Sequence, residues 1–289
     1  MLKVTCLILN YNDAETTIKL IGKIKKYKSI NYILVIDNCS TDNSYKILKN
    51  KFLNERNIII KSTHKNGGYG YGNNFGIKYA FNRLKSKYIV VANPDVFFTD
   101  LTIRKMLNVM LEKRAALVAP VQRIKNVPIY DKAWKIPTPF QWTMSEGIFY
   151  RYFLKKFHYK KSYFKLPLVR VDCVPGAMFM VDAEKFLSVD GYDEEMFLFG
   201  EETVLGFKLK RAGYSTYLLT NEYYDHQHSV SIDKSIKSKI KQQRILHRSK
   251  LIFFKKYQRS GVISIICYSF MFSVKILKMK IKNSFEGIK

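Results

Sequence analysis

The strongest constraint on this chain is a regular alternation between short apolar runs and longer segments with a helical pattern. The apolar runs predict buried strands, and they lie at residues 4–9, 32–37, 58–61 and 88–92. The helical segments lie at 14–27, 40–52 and 100–113, and a glycine-rich segment, 66–76, leads into a further helix that reaches about Leu84. Strands that alternate with helices form a mostly parallel sheet covered on both faces. We therefore predict an α/β fold.

Polar loops follow each predicted strand. In open α/β sheets the ligand lies outside the carboxyl ends of the strands, so these loops are the place to look for a site. The loops begin Asn10-Tyr11-Asn12, Asp37-Asn38, Asn66-Gly67-Gly68 and Asn93-Pro94-Asp95. Asn, Pro and Asp are ordinary turn residues, so the last loop could simply end a strand. The alternative is a metal or phosphate site at this edge of the sheet.

The overall charge predicts an anionic partner. The chain has 50 Lys and Arg against 23 Asp and Glu, a net charge of +27. Such a balance indicates nucleic acid, a phosphate-bearing substrate or an anionic membrane surface. Acidic residues nevertheless crowd together at one place: Asp193, Glu194, Glu195, Glu201 and Glu202. Glu201 and Glu202 either complement the dipole at a helix start or include a general base whose pKa its neighbours raise.

Three other motifs each leave two interpretations open. Asp37 could hydrogen-bond a base or ribose, whereas Asp42 fits a helix cap. The glycine-rich segment 66–76 contains neither the dinucleotide-binding fingerprint nor the P-loop ending. Its glycines therefore indicate either a close approach of the backbone to another group or a flexible loop. In the segment 225–229, His226 and His228 are two residues apart, a spacing that fits either metal ligands or structural histidines.

The rest of the chain is less regular. We predict a long irregular insertion at residues 122–168 and an extended segment at 170–182, with a turn at Pro175-Gly176. A helix is predicted at 201–214 and a strand at 215–219. From about residue 236 the chain is basic and helical. We expect no membrane-spanning segment, since spanning needs about 20 apolar residues and the nearest candidate, 261–272, is too short. Four scattered cysteines and the lack of a signal-peptide pattern favour the cytosol.

Taken in order, seven short motifs resemble the family 2 glycosyltransferases, in particular the bacterial rhamnosyltransferase-like group. The motifs are LILNYN, DNCSTDNS, NGGYGYGNNFG, NPDV, PGAMFMV, GYDEEMFLFGEE and HQHSVS, and they cover about residues 3–231. The resemblance implies a GT-A fold, in which a mostly parallel nucleotide-binding sheet flanked by helices joins an acceptor-binding half. It implies a transferase domain at 1–231, with the insertion at about 122–168, followed by a basic amphipathic helical tail at 232–289.

The resemblance also implies roles for individual residues. Asp95 would hold Mg²⁺ or Mn²⁺ together with His226. Glu202 would be the base, with Glu201 and Asp193 as the other acidic candidates. The remaining residues would line the nucleotide and donor-sugar site: Asn10, Asn12, Asp37, Asn66, Gly68, Asn73, Asn93, Asp95, Gly176 and Ala177.

The activity that the resemblance implies is an inverting, metal-dependent transfer of rhamnose or another hexose. The donor would be a dTDP- or UDP-sugar, and the acceptor a hydroxyl of a glycan or lipid-linked saccharide in bacterial surface polysaccharide synthesis. The tail suits peripheral binding to the anionic inner face of the plasma membrane, or it caps the domain.

Four departures and two rival functions accompany the resemblance, and one departure is that the second acid of the pair, Glu202, is Glu rather than Asp. The family often has Asp and Arg where this chain has Val204 and Lys208, and a small residue is common at His228. The first rival is a nucleic-acid-binding protein that uses its Tyr and Phe residues for stacking. We expect no nucleic-acid partner, because that role leaves the acidic cluster unexplained. The second rival is an inactive transferase-like scaffold.

Overall fold

A computed structural model describes residues 2–130, 133–146, 150–226 and 238–286. Within these residues ten strands form one sheet in the spatial order β3-β2-β1-β4-β9-β6-β10-β5, with β7 beside β6 and β8 beside β10. The strands are β1 Val4–Asn10, β2 Tyr32–Asp37, β3 Ile58–Ser62, β4 Tyr88–Ala92, β5 Val96–Phe97, β6 Leu117–Ile124, β7 Val127–Pro128, β8 Leu168–Val171, β9 Met178–Asp182 and β10 Thr216–His226.

The pairing confirms the α/β class but shows a mixed sheet, because four of the nine strand pairs in the described residues are parallel and five are antiparallel. Strands β3, β2, β1 and β4 are parallel neighbours, and β6 is parallel to β10. Strand β9 runs antiparallel between β4 and β6. The register aligns Asn10 with Asp37 and Asp37 with Ser62, so the polar residues that end these strands lie along one edge. The expected ligand-binding edge is therefore present.

Ten helices flank the sheet in the described part of the chain. They are α1 Ala14–Ile24, α2 Ser44–Lys51, α3 Tyr69–Leu84, α4 Asp100–Glu112, α5 Pro139–Met144, α6 Tyr150–Phe157, α7 Ala183–Ser188, α8 Glu201–Arg211, α9 Lys239–Ile252 and α10 Val262–Glu286. A 3₁₀ turn covers Lys161–Lys165, and a π-helical turn covers Phe253–Tyr257.

The core has two layers because alternate residues of a strand point to opposite faces. Ile8 of β1 belongs to the cluster that includes Ile21 of α1 and other residues from α2 and α4. Leu7 belongs to the opposite cluster, with Ile77 of α3 and residues of α7 and α8. Helices on both faces therefore hold the strand ends, and the loops that follow them, in place.

The interpretation of residues 122–168 as irregular is only partly correct. Strand β6 continues to Ile124, and α5 and α6 lie within the segment. Helix α5 begins with a capping box in which Thr138 and Gln141 satisfy each other's backbone N–H groups. The many prolines and aromatic residues of the segment hide a helical period, because its helices are only six and eight residues long.

The C-terminal helices pack on the rest of the described molecule. A third apolar cluster joins Trp142 of α5 and Val204 of α8 to Phe253, Phe254 and Tyr268 from the tail. The tail therefore caps the domain, which is one of the two roles expected for it. The expected boundary at 231/232 and His228 lie outside the described residues.

Helix α10 corrects the expectation that the tail is too short to span a membrane. By length and composition alone, Val262–Ile281 could cross a bilayer. The expected apolar segment ends at Phe272, where Ser273 and Lys275 interrupt the sequence. Val274, Ile276 and Leu277 nevertheless extend the apolar surface of the helix beyond this point.

Candidate active site

The first two strand-end loops form a single hydrogen-bonded wall. Asp37 is fully buried, and its Oδ2 accepts from Asn10 Nδ2 at 2.8 Å. The backbone N–H and hydroxyl of Ser40 also donate to Asp37, at 2.9 and 2.6 Å. Asn12 spans the two loops, since its side chain accepts from the Thr41 backbone N–H at 2.8 Å and donates to the Thr41 hydroxyl at 2.9 Å. The structure thus brings Asn10, Asn12 and Asp37 together.

The neighbouring Asp42 is not the N-cap of α2, which is Asn43, but it still binds the start of the helix. Its Oδ1 accepts from the backbone N–H of Ser44 at 2.8 Å, at the start of α2. This bond satisfies one of the free N–H groups of the first helical turn.

The glycine-rich loop packs closely against the acidic segment. Gly68 has a φ of 93°, and a Cβ there would lie 2.0 Å from the Phe197 carbonyl oxygen. The Phe197 carbonyl also accepts from the Tyr69 backbone N–H at 3.1 Å. Asn66 Oδ1 accepts from the Gly68 N–H at 3.1 Å, which fixes the turn. Close backbone approach therefore explains the glycine, rather than a flexible loop.

Asn73 presents a polar atom that the described residues leave unsatisfied. Its side chain is fully buried at the start of α3, and its Nδ2 donates to the Tyr69 carbonyl at 3.0 Å. Its Oδ1 has no hydrogen-bond partner within the described ranges. A buried, unpaired oxygen costs free energy, so this atom marks a place where a ligand or water would be stabilised.

Asp95 and His226 meet at the expected position. His226 Nε2 lies 3.1 Å from Asp95 Oδ1, and Gln122 Nε2 lies 3.3 Å from His226 Nδ1. The antiparallel pairing of β5 with β10 creates this contact by placing Val96 opposite His226. The Asn93 backbone N–H donates to the Ala177 carbonyl at 2.9 Å, so the turn before Asp95 is tied to the segment that contains Gly176.

The Asp95–His226 pair fits a divalent cation. A carboxylate and an imidazole are suitable ligands for Mn²⁺, and the carboxylate also suits Mg²⁺. Asp95 is 4% exposed, so its charge is largely shielded from water. Across the described parts of the chain, no three His, Cys, Asp or Glu side chains are grouped to hold a metal alone. Phosphate oxygens and water would therefore complete the coordination shell.

Glu202 lies in the first turn of α8, against Gly176. A Cβ at Gly176 would be 2.8 Å from Glu202 Oε1 and 3.0 Å from the Tyr69 hydroxyl. Burial raises the pKa of Glu202, while hydrogen bonds from its own and the Gly176 backbone N–H groups oppose the rise. A carboxylate with a raised pKa is a better proton acceptor, which suits a general base.

Tyr224 joins the two acidic parts of the site. Its side chain is fully buried on β10, and its hydroxyl lies 3.5 Å from Gln122 Oε1. Burial raises the pKa of Tyr224, and the charges of both Asp95 and Glu202 raise it further. The segment that holds Gly176 and Ala177 links the two parts, since Ala177 accepts from the Asn93 backbone N–H at 2.9 Å and Gly176 lies against Glu202.

The two other acidic candidates differ from Glu202. Glu201 is 3% exposed, and burial followed by the charge of Glu202 raises its pKa well above the usual range. Asp193 instead contacts the tail: it accepts from the Tyr257 hydroxyl at 2.5 Å and pairs with Lys256 at 2.9 Å. Burial alone would raise the pKa of Asp193, but these two partners lower it. Asp193 therefore lacks the environment of a base.

Two of the departures from the family pattern, Val204 and Lys208, have different surroundings. Val204 is fully buried in the third apolar cluster, where a carboxylate would face Phe253 and Trp142. Lys208 is partly buried and donates to the Asp190 carbonyl at 3.3 Å. Burial lowers the pKa of Lys208. The apolar valine is thus explained by the packing of the C-terminal segment.

Sequence reasoning missed Tyr224, Gln122 and Tyr69. Tyr69 donates from its hydroxyl to the Gly176 carbonyl at 2.5 Å, and so supports the wall behind Glu202. A usable signal existed for Tyr224, because it lies two residues before His226 on β10 and therefore shares its face of the strand. Gln122 and Tyr69 have no comparable pattern, since their contacts depend on packing between distant segments.

This architecture defines a class of enzyme. A mixed sheet with polar strand-end loops and a metal-compatible pair beside them agrees with the GT-A glycosyltransferase fold that the sequence motifs imply. The family model described as glycosyl transferase family 2 matches residues 5–187, and the chain belongs to that family. The motifs that resemble the rhamnosyltransferase-like group agree with this family, and one of the relatives described next is named a rhamnosyltransferase.

Two proteins whose names state an activity are similar in sequence to this chain. The chain is 23% identical over 208 residues to the low-salt glycan biosynthesis hexosyltransferase Agl10 of Haloferax volcanii, and the match covers 71% of this chain and 61% of Agl10. It is 27% identical over 213 residues to the N-acetylglucosaminyl-diphospho-decaprenol L-rhamnosyltransferase of Mycobacterium tuberculosis, covering 70% and 68% of the two chains. This chain therefore spans about three fifths of the length of Agl10.

A solved structure supports the fold. The mannosyltransferase PcManGT from Pyrobaculum calidifontis, solved in complex with GDP-Man and Mn²⁺, superposes with a TM-score of 0.60 at 11% identity. The superposition covers 99% of this chain and 81% of PcManGT. At this identity the likeness concerns the fold alone.

Proposed function

We propose that this glycosyltransferase moves rhamnose or another hexose from a nucleoside diphosphate sugar to a hydroxyl of a glycan or lipid-linked saccharide. The observation that carries the proposal is the pairing of Asp95 with His226 at 3.1 Å, beside the polar loops that follow the strands. The names of the two relatives support hexose or rhamnose as the sugar, and the mycobacterial name supports an acceptor on a lipid diphosphate. The proposed domain extends to about residue 231, followed by the helical tail.

The donor would lie along the carboxyl edge of the sheet. Asn10, Asn12 and Asp37 would contact the nucleotide, while Asn66, Gly68 and Asn73 would lie beside the diphosphate sugar. Asn93, Gly176 and Ala177 would shape the wall near the sugar. Asp95 and His226 would hold Mg²⁺ or Mn²⁺, which when bound neutralises charge on the diphosphate leaving group.

Glu202 would act as the base. Its carboxylate takes the proton of the acceptor hydroxyl as the hydroxyl oxygen forms a bond to the anomeric carbon. The bond from that carbon to the diphosphate oxygen breaks, and the nucleoside diphosphate leaves with the electron pair. Attack from the face opposite the leaving group inverts the anomeric configuration. The raised pKa of Glu202 supports this assignment over Asp193.

The tail would place the enzyme on the cytoplasmic face of a membrane. Helix α10 exposes a stripe of large apolar side chains, and we name it the α10 stripe: Ile263, Ile266, Phe270, Val274, Leu277 and Ile281. The opposite face of the helix is buried against the domain through Tyr268, Phe272 and Ile276. A helix that is held along one side and apolar on the other suits peripheral binding in the plane of an anionic bilayer.

Thermal-shift screening of a panel of nucleotide sugars, with and without Mn²⁺, tests the donor assignment. We expect stabilisation by one nucleoside diphosphate sugar that requires the cation. NMR analysis of the product linkage then tests inversion. Retention of the donor's anomeric configuration would contradict the assignment of Glu202 as a base in a single displacement, and the absence of stabilisation by any nucleotide sugar would contradict the proposal as a whole.

A further inference from the structure

A cavity of about 500 Å³ lies between the N-terminal turn of α8 and the C-terminal helices. Glu202 and Thr203 form part of one side, and Lys250 of α9 and Lys275 of α10 form part of another. We name this space the tail cavity. It opens on the proposed base, but the donor loops at the carboxyl edge of the sheet do not line it.

The lysine side of the tail cavity carries an excess of positive charge, whereas Glu202 contributes a carboxylate to the other side. Glu146 pairs with both Lys250 and Lys275, the latter at 2.6 Å. The side chains of Glu146 and Lys250 are only 4% and 7% exposed. Two ammonium groups against one carboxylate leave a net charge of +1 in this group of three. Each ammonium has three N–H donors, so Glu146 does not exhaust them.

The side chains between the base and the lysines are aromatic. Trp134, Trp142 and Phe157 line the cavity, and Trp134 Nε1 donates to the Thr203 hydroxyl at 3.2 Å. Aromatic faces pack against the apolar faces of sugar rings, as they do against other flat apolar groups. Lys275 also belongs to the helix that carries the α10 stripe, and it directly follows Val274 of that stripe.

We propose that the tail cavity binds the acceptor and that Lys275 and Lys250 contact a phosphate or diphosphate group on it. This inference rests on the proposed transferase function and names the site and the recognition chemistry of its acceptor. The acceptor hydroxyl would face Glu202, its sugar would lie against the tryptophans, and its phosphate would reach the lysines. Any lipid attached to the phosphate would continue along α10.

The tryptophans provide a direct measurement, because the chain contains two and both line the cavity. We would titrate the full-length protein with geranyl diphosphate, inorganic pyrophosphate and geraniol in the presence of a chelator, which disables the metal-dependent donor site. We expect a saturable change in tryptophan fluorescence with both diphosphates and none with geraniol. Tighter binding of geranyl diphosphate than of pyrophosphate would assign the phosphate to a lipid, and equal binding would assign it to a soluble compound.

Substitutions on one helix separate recognition from general charge. Lys275→Gln should weaken diphosphate binding by roughly tenfold, the effect of losing one charge-assisted contact. Lys275→Arg should largely retain it. Lys278→Gln, which removes the same charge from an exposed position on α10, should leave it unchanged. Equal weakening by Lys275→Gln and Lys278→Gln would overturn the proposal, as would no response of the wild-type fluorescence to either diphosphate.

Different results would contradict the transferase proposal and the acceptor-site proposal. If the chain binds no nucleotide sugar, the transferase proposal fails while the fluorescence response to diphosphates can persist. If nucleotide sugar binding is normal but the tryptophans do not respond, only the acceptor site is wrong. Circular dichroism of Lys275→Gln is the control for folding. If that variant does not fold, the wild-type titration decides, because no fluorescence response to either diphosphate would still overturn the proposal.

Discussion

His226 Nε2 lies 3.1 Å from Asp95 Oδ1, although 131 residues separate the two in the chain. The contact exists because β5 follows the Asn93-Pro94-Asp95 turn directly and pairs antiparallel with the end of β10. A turn of ordinary composition thus gains a partner with metal-binding chemistry. The position of this pair at the polar edge of the sheet connects the motif to a site rather than to a strand end alone.

Replacing Asp95 tests the metal site. Asp95→Asn keeps the size of the side chain but removes the charge that a divalent cation requires. We expect Mn²⁺-dependent binding of the donor nucleotide to weaken by roughly tenfold or more, as loss of a charged contact implies. Isothermal titration calorimetry with and without Mn²⁺ measures the change.

Asp225 provides the matched control for Asp95. It neighbours His226 in sequence, but it pairs with Arg123 at 2.8 Å and its side chain is 41% exposed. Asp225→Asn should therefore leave the metal dependence intact. Equal nucleotide affinity of wild type and Asp95→Asn in Mn²⁺ would remove Asp95 from the metal site.

Replacing Glu202 tests the base. Glu202→Gln should bind donor normally and lose transfer by a factor of roughly 10²–10⁴, the usual contribution of a general base. The wild-type rate should fall as the pH drops through the raised pKa of Glu202, because the protonated carboxyl group cannot accept a proton. The residual rate of Glu202→Gln should lack this acidic limb. Radiolabelled sugar transfer measured across pH gives both quantities.

The control for Glu202 is Glu195→Gln, since Glu195 is 64% exposed and pairs with Lys256 at 2.8 Å. It should alter the rate little. Near-normal transfer by Glu202→Gln would assign the proton transfer to Glu201, the other carboxylate of raised pKa in this turn.

We expect the buried carboxyl group of Glu201 to lower the free energy of unfolding at neutral pH. Its Oε2 has no hydrogen-bond partner among the described residues, and its pKa is raised by burial and by the charge of Glu202. A carboxyl group that binds its proton more tightly in the folded state stabilises the fold at low pH, and this contribution is lost as the pH rises through the folded pKa. Glu201→Gln should therefore raise the melting temperature at pH 7–8 by about 2–4 °C, the shift for roughly 1 kcal/mol in a chain of this size.

Differential scanning calorimetry at two pH values checks this sign. The stabilising effect of Glu201→Gln should disappear near pH 4, where the unfolded carboxyl group is also largely protonated. A lower melting temperature of the variant at pH 8 would show instead that the ionised Glu201 stabilises the folded state.

Gly176 should be required for the position of Glu202. A Cβ at Gly176 would lie 2.8 Å from Glu202 Oε1 and 3.0 Å from the Tyr69 hydroxyl, closer than side chains normally approach. Gly176→Ala should therefore displace Glu202 and lower kcat more than donor affinity, because precise placement of a base controls proton transfer. Gly22→Ala is the control, since nothing lies within 4 Å of a Cβ there. Unchanged kcat in Gly176→Ala would mean that the tight contact has no catalytic effect.

The parts of the site that could be predicted from sequence are those that local pattern determines. Asn10 and Asp37 end adjacent parallel strands, so their closeness follows from the strand pattern and the register. Val204 could be noted as a departure, but its reason could not, because Phe253 and Trp142 come from distant segments. Lys250 and Lys275 belong to a basic tail in which sequence alone cannot separate the lysines that enter the cavity from those that face solvent.

We expect the α10 stripe to contact membranes, and substitutions on it can test this without disturbing the fold. The side chains of Ile263, Ile266 and Phe270 are 78%, 61% and 68% exposed, so replacing all three with Ser removes apolar surface without opening the core. Truncation of the tail would be a poorer test, because it would uncover Trp142 and Val204.

We expect cosedimentation with anionic liposomes to fall by roughly tenfold or more for the triple variant, since each apolar side chain buried in lipid contributes about 1.5–3 kcal/mol. Leu53→Ser, at a position 73% exposed elsewhere on the surface, is the control and should sediment like wild type. Full retention of lipid binding by the triple variant would place the membrane contact on the basic residues of the tail instead of the α10 stripe.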